Sequence, residues 1–475
     1  MRQRHTRIIA TLGPACSSVE MIQRLITAGA DVFRINASHS GDGIIAKYAQ
    51  AVREASERCD VYAGVLLDLQ GPKIRLGAFQ KGSATLRQGE IFRITTDDVA
   101  GTDEKSSTTY RDFGKDVRVG EKVLLADGAV ELLVLKNDGI TSECRVVRGG
   151  VVFNHQGINL PGTALSAPSL TEKDRRDMLE GIRLKVDMIA LSFVRRADDI
   201  VRLRRDIERQ GARVPIIAKI ERAEAWQAID DILDASDGAM VARGDLGVEM
   251  SMGQVPHIQK TVIDKSIQHN RFVITATQML ESMIESPVPT RAEVSDITNA
   301  IYDGTDTVML SAETAKGKYP VDAVRIMAEI AQSAEEHAPE RHPRIINTAL
   351  VNYNEVVADL TCRASRIGDI KAIAVFTETG HTAHLIAAQR PDVPVFAFTP
   401  NKSIACQLSV WHGVTALISP PLQSVEEMVE YMDQNLVSRN WMARGETILL
   451  AAGDRVGHAG TTNMLKIHTV TGSVL

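Results

Sequence analysis

The stretch VPIIAKIERAEAWQAIDDILDASDGAMVARGD, residues 214–245, holds one structural repeat and the start of the next. VPIIAKIE (214–221) is a short apolar run that ends on Lys219 and Glu221. GAMVARGD (238–245) is a second, ending on Arg243 and Asp245. Continuous apolar runs of this length suit strands buried on both faces, as in a parallel sheet. An amphipathic segment between two such strands makes a strand–helix–strand unit.

The unit recurs along the chain. TRIIATLG (6–13), DVFRINAS (31–38), AGVLLDLQ (63–70) and VDMIALSF (186–193) come before it, and RFVITATQ (271–278) and DTVMLSAE (306–313) after it. Linking segments such as SVEMIQRLITAGA open on serines and close on a glycine, as capped helices do. Eight strands alternating with helices predict an α/β fold built on a (β/α)8 TIM barrel. The spacing breaks once, between the third and fourth strands. There GEIFRITT, EKVLLADGAVELLVL and ECRVVRGGVVF are β-type segments separated by glycine turns. The expectation is a barrel over residues 1–70 and 166–338, with an inserted β-barrel-like lid domain over 71–165. EEHAPERHPR (335–344) is a charged, proline-containing connection to a C-terminal α/β domain over 339–475, where KAIAVFT, VPVFAFT, GVTALIS and ETILLAAG alternate with helical stretches.

Composition narrows the function classes. The chain has 475 residues, a formal charge of −6 and 4% aromatic residues. That balance leaves no footprint for nucleic acid or a membrane surface, and too few aromatics to stack bases. No apolar run approaches the ~20 residues that cross a bilayer. Cys16, Cys59, Cys144, Cys362 and Cys406 are odd in number and scattered, which reads as free thiols in the cytoplasm.

The C-terminal ends of the strands carry the chemistry. They supply Thr11, then Arg34, Asn36 and Ser38, then Asp68, then Ser192. Lys219 with Glu221, Arg243 with Asp245, Thr277 with Gln278, and Ser311 with Glu313 complete the ring. One polar strand end is a solvated loop start; all eight together, with both charge signs, read as a barrel active site. Glu221 and Asp245, on adjacent strands, suit Mg²⁺ or Mn²⁺, which take hard oxygen ligands and keep several waters. Arg34, Lys219 and Arg243, with Arg75 beyond, would repel one another without an anion between them. Acids absorb part of that charge, and phosphate, which arginine grips with two parallel hydrogen bonds, would absorb the rest. Phosphoryl transfer needs this equipment and little covalent protein chemistry.

ATLGPA, RINASH, AKIE, VARGDLGVE, TATQMLESM, PTRAEVSDI and MLSAETAKGKYP stand in the order and at the spacing of the pyruvate kinase family, which the chain resembles over nearly its whole length. The resemblance implies transfer of phosphoryl from phosphoenolpyruvate to ADP, giving pyruvate and ATP in glycolysis. It implies Glu221 and Asp245 as metal ligands and Lys219 as the lysine that stabilises the moving phosphoryl group and the enolate. Arg34 resembles the phosphate-contacting arginine, Arg75 a second cation near the nucleotide, and Thr277 the threonine near the methylene carbon. Backbone amides near Ala242, Arg243 and Gly244 would hold the substrate carboxylate. A homotetramer is the usual assembly.

One segment departs from many relatives. In LLDLQGPKIR (66–75), Leu69, Gln70 and Lys73 replace the threonine, lysine and glutamate of potassium-requiring members. The ion's side-chain ligands resemble Asn36, Ser38 and Asp68. An ammonium group is a compact monovalent charge, so Lys73 is expected to serve as an internal cation and remove the need for potassium. A solvated loop lysine is the plain alternative. Before GINLPG, His155 and Gln156 stand where many relatives carry a lysine pair, and Asp127 resembles a lid residue facing the site. In the C-terminal domain, TETGHTAH is a Thr/Gly turn entering a helix, with Thr377, Thr379, Gly380 and Thr382 as expected contacts to a phosphorylated effector. A capped helix without ligand competes with that reading. The glycine-rich GDRVGHAGTTN (453–463) would close over such a ligand. A metal-dependent lyase acting on pyruvate enolate would use the same metal pair but not the lid. A silent sensor would not need the intact Lys219, Glu221, Asp245, Arg34 and Thr277.

Overall fold

The computed structural model describes residues 4–39, 41, 43–338, 352–453 and 462–471. Eight parallel strands close into a barrel: Arg7–Thr11, Val32–Asn36, Gly64–Asp68, Met188–Leu191, Ile216–Ile220, Gly238–Ala242, Phe272–Ala276 and Thr307–Leu310. Their burial explains why the sequence runs are continuously apolar rather than alternating. Ile8 and Ala10 pack outward among the helices, while Ile9 faces a separate inner core with Val32, Leu66, Ile217 and Met240. Both faces of each strand are dry. Parallel register aligns the strand ends, with Asn36 opposite Asp68 and Ala242 opposite Ala276. The polar residues beyond them therefore meet at one mouth.

Local signals fix the helices. Ser18 caps Val19–Ala28 by accepting from the Met21 amide, and Gly29 ends it at φ 131°. Thr171 with Asp174, and Thr290 with Glu293, form reciprocal capping boxes on Glu172–Arg183 and Arg291–Asp303.

The insertion between the third and fourth barrel strands forms a six-stranded and a two-stranded sheet around their own core, including Phe92, Phe113, Leu132 and Cys144. It projects from the mouth. Its hairpin tip comes close to the barrel, where a Cβ on Gly128 would stand 3.9 Å from Val248.

The C-terminal unit is a five-stranded sheet in the order Val414–Ile418, Val395–Thr399, Ile370–Phe376, Thr447–Gly453, Thr462–Thr469. The last strand is antiparallel to its neighbour. This unit docks on the opposite end of the barrel from the mouth. Thr307 Oγ1 donates to the Val410 carbonyl at 2.7 Å, Arg7 Nε to that of Trp411 at 3.1 Å, and the Trp411 and Phe272 rings meet at 5.2 Å. Most of the 335–344 connection and residues 454–461 of the second glycine-rich loop lie outside the described residues. The five cysteines are free, and no described helix is long and apolar enough to cross a membrane.

Candidate active site

Lys219 is the centre of the mouth. Its Nζ lies 2.8 Å from Glu221 Oε1 and 3.3 Å from Asp68 Oδ1, and donates to Ser192 Oγ at 2.7 Å. Alternation along its strand puts Lys219 and Glu221 on one face, as the spacing predicts. Asp68 and Glu221 are each 1% exposed. Burial alone would lower the Lys219 pKa, but Asp68 and Glu221 outweigh it and the net shift is upward. Burial also opposes the charge on Asp68, and Lys219 and Arg34 reverse that, leaving its pKa lowered. Glu221 is pushed up by burial and by Asp245, against the pull of Lys219. The ammonium and the Asp68 carboxylate are thus firmly charged, while Glu221 is held at a cost that a cation would relieve.

Arg34 Nε donates to Asp68 Oδ2 at 2.7 Å and its Nη1 to Thr11 Oγ1 at 3.2 Å, so three strand ends are tied together. Glu221 Oε2 accepts from the Phe193 amide at 2.7 Å. Asp245 is different. It is half-buried, and its carboxylate has no hydrogen bond or ion pair among the described residues, though Lys73 acts on it through space. No cluster of three or more His, Cys, Asp or Glu able to hold a metal occurs among those residues. One unpaired carboxylate beside a strained one fits a Mg²⁺ that takes its remaining oxygens from water and substrate.

Arg243 departs from the expected role. Its guanidinium does not share the anion site with Arg34; it turns to the neighbouring strand end. It donates to the Thr277 carbonyl at 2.6 Å and the Gln278 carbonyl at 3.0 Å, and pairs with Asp296 at 2.6 Å. The reason lies in the backbone. Thr277 and Gln278 both have positive φ, 69° and 53°. Two such residues cost about 1–3 kcal/mol each and persist only when surroundings hold them. Arg243 and the Gly244 amide, which donates to Thr277 Oγ1 at 2.9 Å, supply that hold. The Gly244 amide is therefore engaged by Thr277. Ala242 caps the short helix Arg243–Glu249, so the expected turn is a helix start.

Lys73, Arg75, Asp127, His155, Gln156, Asp245 and Glu249 line a cleft of about 280 Å³ between insertion and barrel. Arg75 Nη1 donates to the His155 carbonyl at 3.0 Å, and His155 itself is exposed. The crowded cleft lowers the Lys73 pKa by desolvation, and Asp245 then Glu221 are the acids that oppose this. At the Asn36–Ser38 corner stands another ammonium that sequence reasoning missed: Lys173 Nζ donates to the Ala37 carbonyl at 2.7 Å and pairs with Asp177 at 2.6 Å. Asn36 Oδ1 accepts from the Ser38 amide, and the Leu69 carbonyl from Ser192 Oγ. Sequence reasoning also missed Arg222 and Glu249, each four or fewer residues from a named ligand; their buried partners are tertiary and leave no local signal.

At the C-terminal turn, Thr377 Oγ1 accepts from the Gly380 amide at 3.0 Å, and Thr382 Oγ1 meets Thr462 Oγ1 at 2.5 Å. Thr379 is exposed, and Gly380, at φ 79°, caps the helix His381–Ala388. Burial, reinforced by Arg213 and Arg271, lowers the His381 pKa despite Glu355.

Two family models match the chain. The pyruvate kinase barrel domain matches residues 3–324, and the pyruvate kinase alpha/beta domain residues 355–468. This chain belongs to the pyruvate kinase family. A pyruvate kinase of Corynebacterium glutamicum is 41% identical over 465 residues, spanning 98% of this chain and 97% of the relative. A pyruvate kinase of Mycobacterium tuberculosis (strain H37Rv) is 41% identical over 472 residues, covering 98% of each. The crystal structure of a pyruvate kinase from Cryptosporidium parvum superposes with a TM-score of 0.90 at 34% identity, covering 98% of this chain and 96% of that one. Membership makes the protein a phosphotransferase, and the mouth of the barrel is where its charged groups converge.

Proposed function

We propose that this chain transfers the phosphoryl group of phosphoenolpyruvate to ADP at the barrel mouth, in the cytoplasm, and does so without potassium. The observation that carries the reading is the Lys219 ammonium, kept charged between Asp68 and Glu221. A fixed cation aimed where negative charge develops is worth more in a dry site than in water, and needs no reorganisation as the reaction proceeds. Lys219 stabilises the moving phosphoryl group and the enolate oxygen. Arg34, fixed by Asp68 and Thr11, contacts the phosphate. Thr277 stands on the face near the methylene carbon, and the helix start at Ala242–Gly244 receives the carboxylate, with Gly244 acting through Thr277. Glu221 and Asp245 would hold Mg²⁺ or Mn²⁺, which when bound supplies Lewis-acid polarisation of phosphoryl oxygens. The β insertion acts as a lid, and Arg75 and Asp127 in the cleft face the nucleotide.

Potassium independence has support at the Asn36–Ser38–Asp68 corner. Arg34 and Lys219 already neutralise Asp68, Ser192 engages the Leu69 carbonyl, and Lys173 places an ammonium on Ala37. Lys73 lies on the cleft side, where burial, with Lys219 and Arg75, opposes its charge and Asp245 and Glu221 favour it. With Asp68 already paired, and Asp177 and Glu221 engaged by Lys173 and Lys219, little unpaired negative charge remains at this corner to hold a further cation. The assembly we infer is a homotetramer. Tyr353, Val356, Leu360 and Ile367 leave an exposed apolar stripe along helix Tyr353–Ile367, beside exposed Ile467 on the edge strand, as a self-association surface would. Effector binding at Thr377–Thr382 has weaker support, since Thr377 and Thr382 are already satisfied.

The test is ATP formation from phosphoenolpyruvate and ADP with Mg²⁺ in potassium-free buffer, then with potassium restored. Full rate without potassium is expected, with a potassium requirement created by Lys73→Glu. A rate that appears only with potassium keeps the phosphotransferase and removes the internal cation.

A further inference from the structure

The catalytic reading leaves the buried pair Arg222 and Glu249 unused. Arg222 follows Glu221 directly, and Glu249 stands one helical turn beyond Asp245. Arg222 is 2% exposed and Glu249 7%. Taking an arginine out of water costs several kcal/mol unless its donors are matched. Here three separate elements match them. Nε lies 3.2 Å from Glu224 Oε2, Nη1 lies 3.4 Å from Glu249 Oε1, and Nη2 donates to the Thr163 carbonyl at 3.0 Å.

Thr163 belongs to the segment by which the lid rejoins the barrel, just after a turn at Gly162 with φ 75°. It is 0% exposed, and its hydroxyl donates to Glu121 Oε2, within the lid, at 2.9 Å. One continuous chain of contacts therefore runs from the lid through Thr163 and Arg222 to Glu249. Its barrel end sits on the two elements that carry the metal-ligand carboxylates. Arg195 makes a separate attachment to the same segment, donating to the Leu165 carbonyl and, at 2.8 Å, to the Ala167 carbonyl. Losing Arg222 would thus loosen the hinge without detaching it.

We propose that Arg222 is a positioning residue for the lid, tying its return hinge at Thr163 to the strand ends that carry Glu221 and Asp245. A planar fork suits this task, because it holds several acceptors at fixed angles, which an ammonium does not. The side chain touches no reacting atom. Its effect is to fix where the lid approaches the barrel mouth, and so how well the cleft grips the nucleotide. The kinetic consequence rests on the phosphotransferase reading; the mechanical one does not.

The experiment uses the full chain with Arg222→Met and Arg222→Lys. Hydrogen exchange is followed at the backbone amides of residues 160–167, together with KM for ADP and for phosphoenolpyruvate and the thermal unfolding temperature. Arg222→Met is expected to speed exchange there and raise KM for ADP, each by about tenfold or more, with KM for phosphoenolpyruvate within about threefold. Arg222→Lys should fall between, and unfolding should shift by only a few degrees. Should Arg222→Met fail to fold, Arg222→Lys carries the same readouts. Unchanged exchange at 160–167 in a folded variant overturns the proposal. Faster exchange with an unchanged KM for ADP also overturns it, leaving only a structural tie. A parent without phosphotransferase activity sinks the enzyme reading, while the exchange result still decides whether Arg222 holds the hinge.

Discussion

The barrel mouth and the turn at Thr377–Thr382 both present polar groups at the end of a strand, yet they are built differently. At the mouth, Lys219, Arg34, Asp68 and Glu221 are buried charges packed against one another, and Asp245 is left without a partner. At the turn, Thr377 accepts from Gly380 and Thr382 meets Thr462, so the hydroxyls serve the fold itself. Buried charge that the fold does not need is the mark of a reacting site, because it is expensive to keep. A satisfied turn is cheap and common. The difference teaches that strand-end polarity alone does not define a site; what counts is how much electrostatic work remains undone.

The largest expected effect comes from Lys219→Met, which strikes the mouth at its centre. Phosphoryl transfer should fall by about 10²–10³ or more, as when a preorganised electrostatic group is removed. Stability should fall too, by roughly 3–5 kcal/mol, because Asp68 and Glu221 would be left buried without their shared cation. Steady-state kinetics and denaturant unfolding of the same preparation check both. An active, equally stable Lys219→Met protein would erase the contrast between the two regions.

How much of this was legible beforehand follows from where the information resides. The eight barrel strands were readable because burial on both faces writes a continuous apolar run into each one, as in Ile216–Ile220. Lys219 and Glu221 were placed on one face by alternation alone. Arg243 was not placed correctly: its sequence position allows either the anion site or the Thr277–Gln278 backbone, and only the positive φ pair decides. The antiparallel strand Thr462–Thr469 escaped notice because it is an edge strand that mixes half-exposed residues with exposed ones, Asn463 and Lys466 among the latter. Arg222, Glu249 and Lys173 escaped because arginines, glutamates and lysines at those positions read as ordinary helix-start and helix-face residues. Their meaning comes from partners such as Thr163 and Ala37, distant in sequence.

A smaller effect sharpens the contrast from the other side, through pH. His384 stacks on Trp411 with ring centroids 4.9 Å apart, and burial, with His381 and Arg271 adding to it, pushes its pKa down to about 3. The unfolded chain binds this proton near pH 6.5, so the group's contribution to stability is complete above that value and is lost as pH falls toward 3. Lowering the pH from 7 to 4.5 should cost roughly 2.5 kcal/mol through this ring. His384→Phe keeps a flat ring on Trp411 and removes the proton, so its stability should be flatter over that range. Denaturant unfolding at several pH values gives the comparison, and parallel curves for parent and variant would mean that His384 takes up its proton while folded.

The smallest effect belongs to the turn itself. Thr377→Val keeps the branched shape and removes the oxygen that accepts from the Gly380 amide. Val also leaves that amide, at a positive-φ cap, with one acceptor fewer. The loss should be about 1 kcal/mol, the usual net worth of one such hydrogen bond. Phosphoryl transfer without added effector should be unchanged, since the turn lies on the far side of the barrel from Lys219. Equilibrium unfolding and basal turnover, measured together, separate the two regions cleanly. A Thr377→Val protein that kept its stability but lost basal turnover would mean that the turn already acts on the mouth through the barrel, and that its hydroxyl is committed to more than closing a helix.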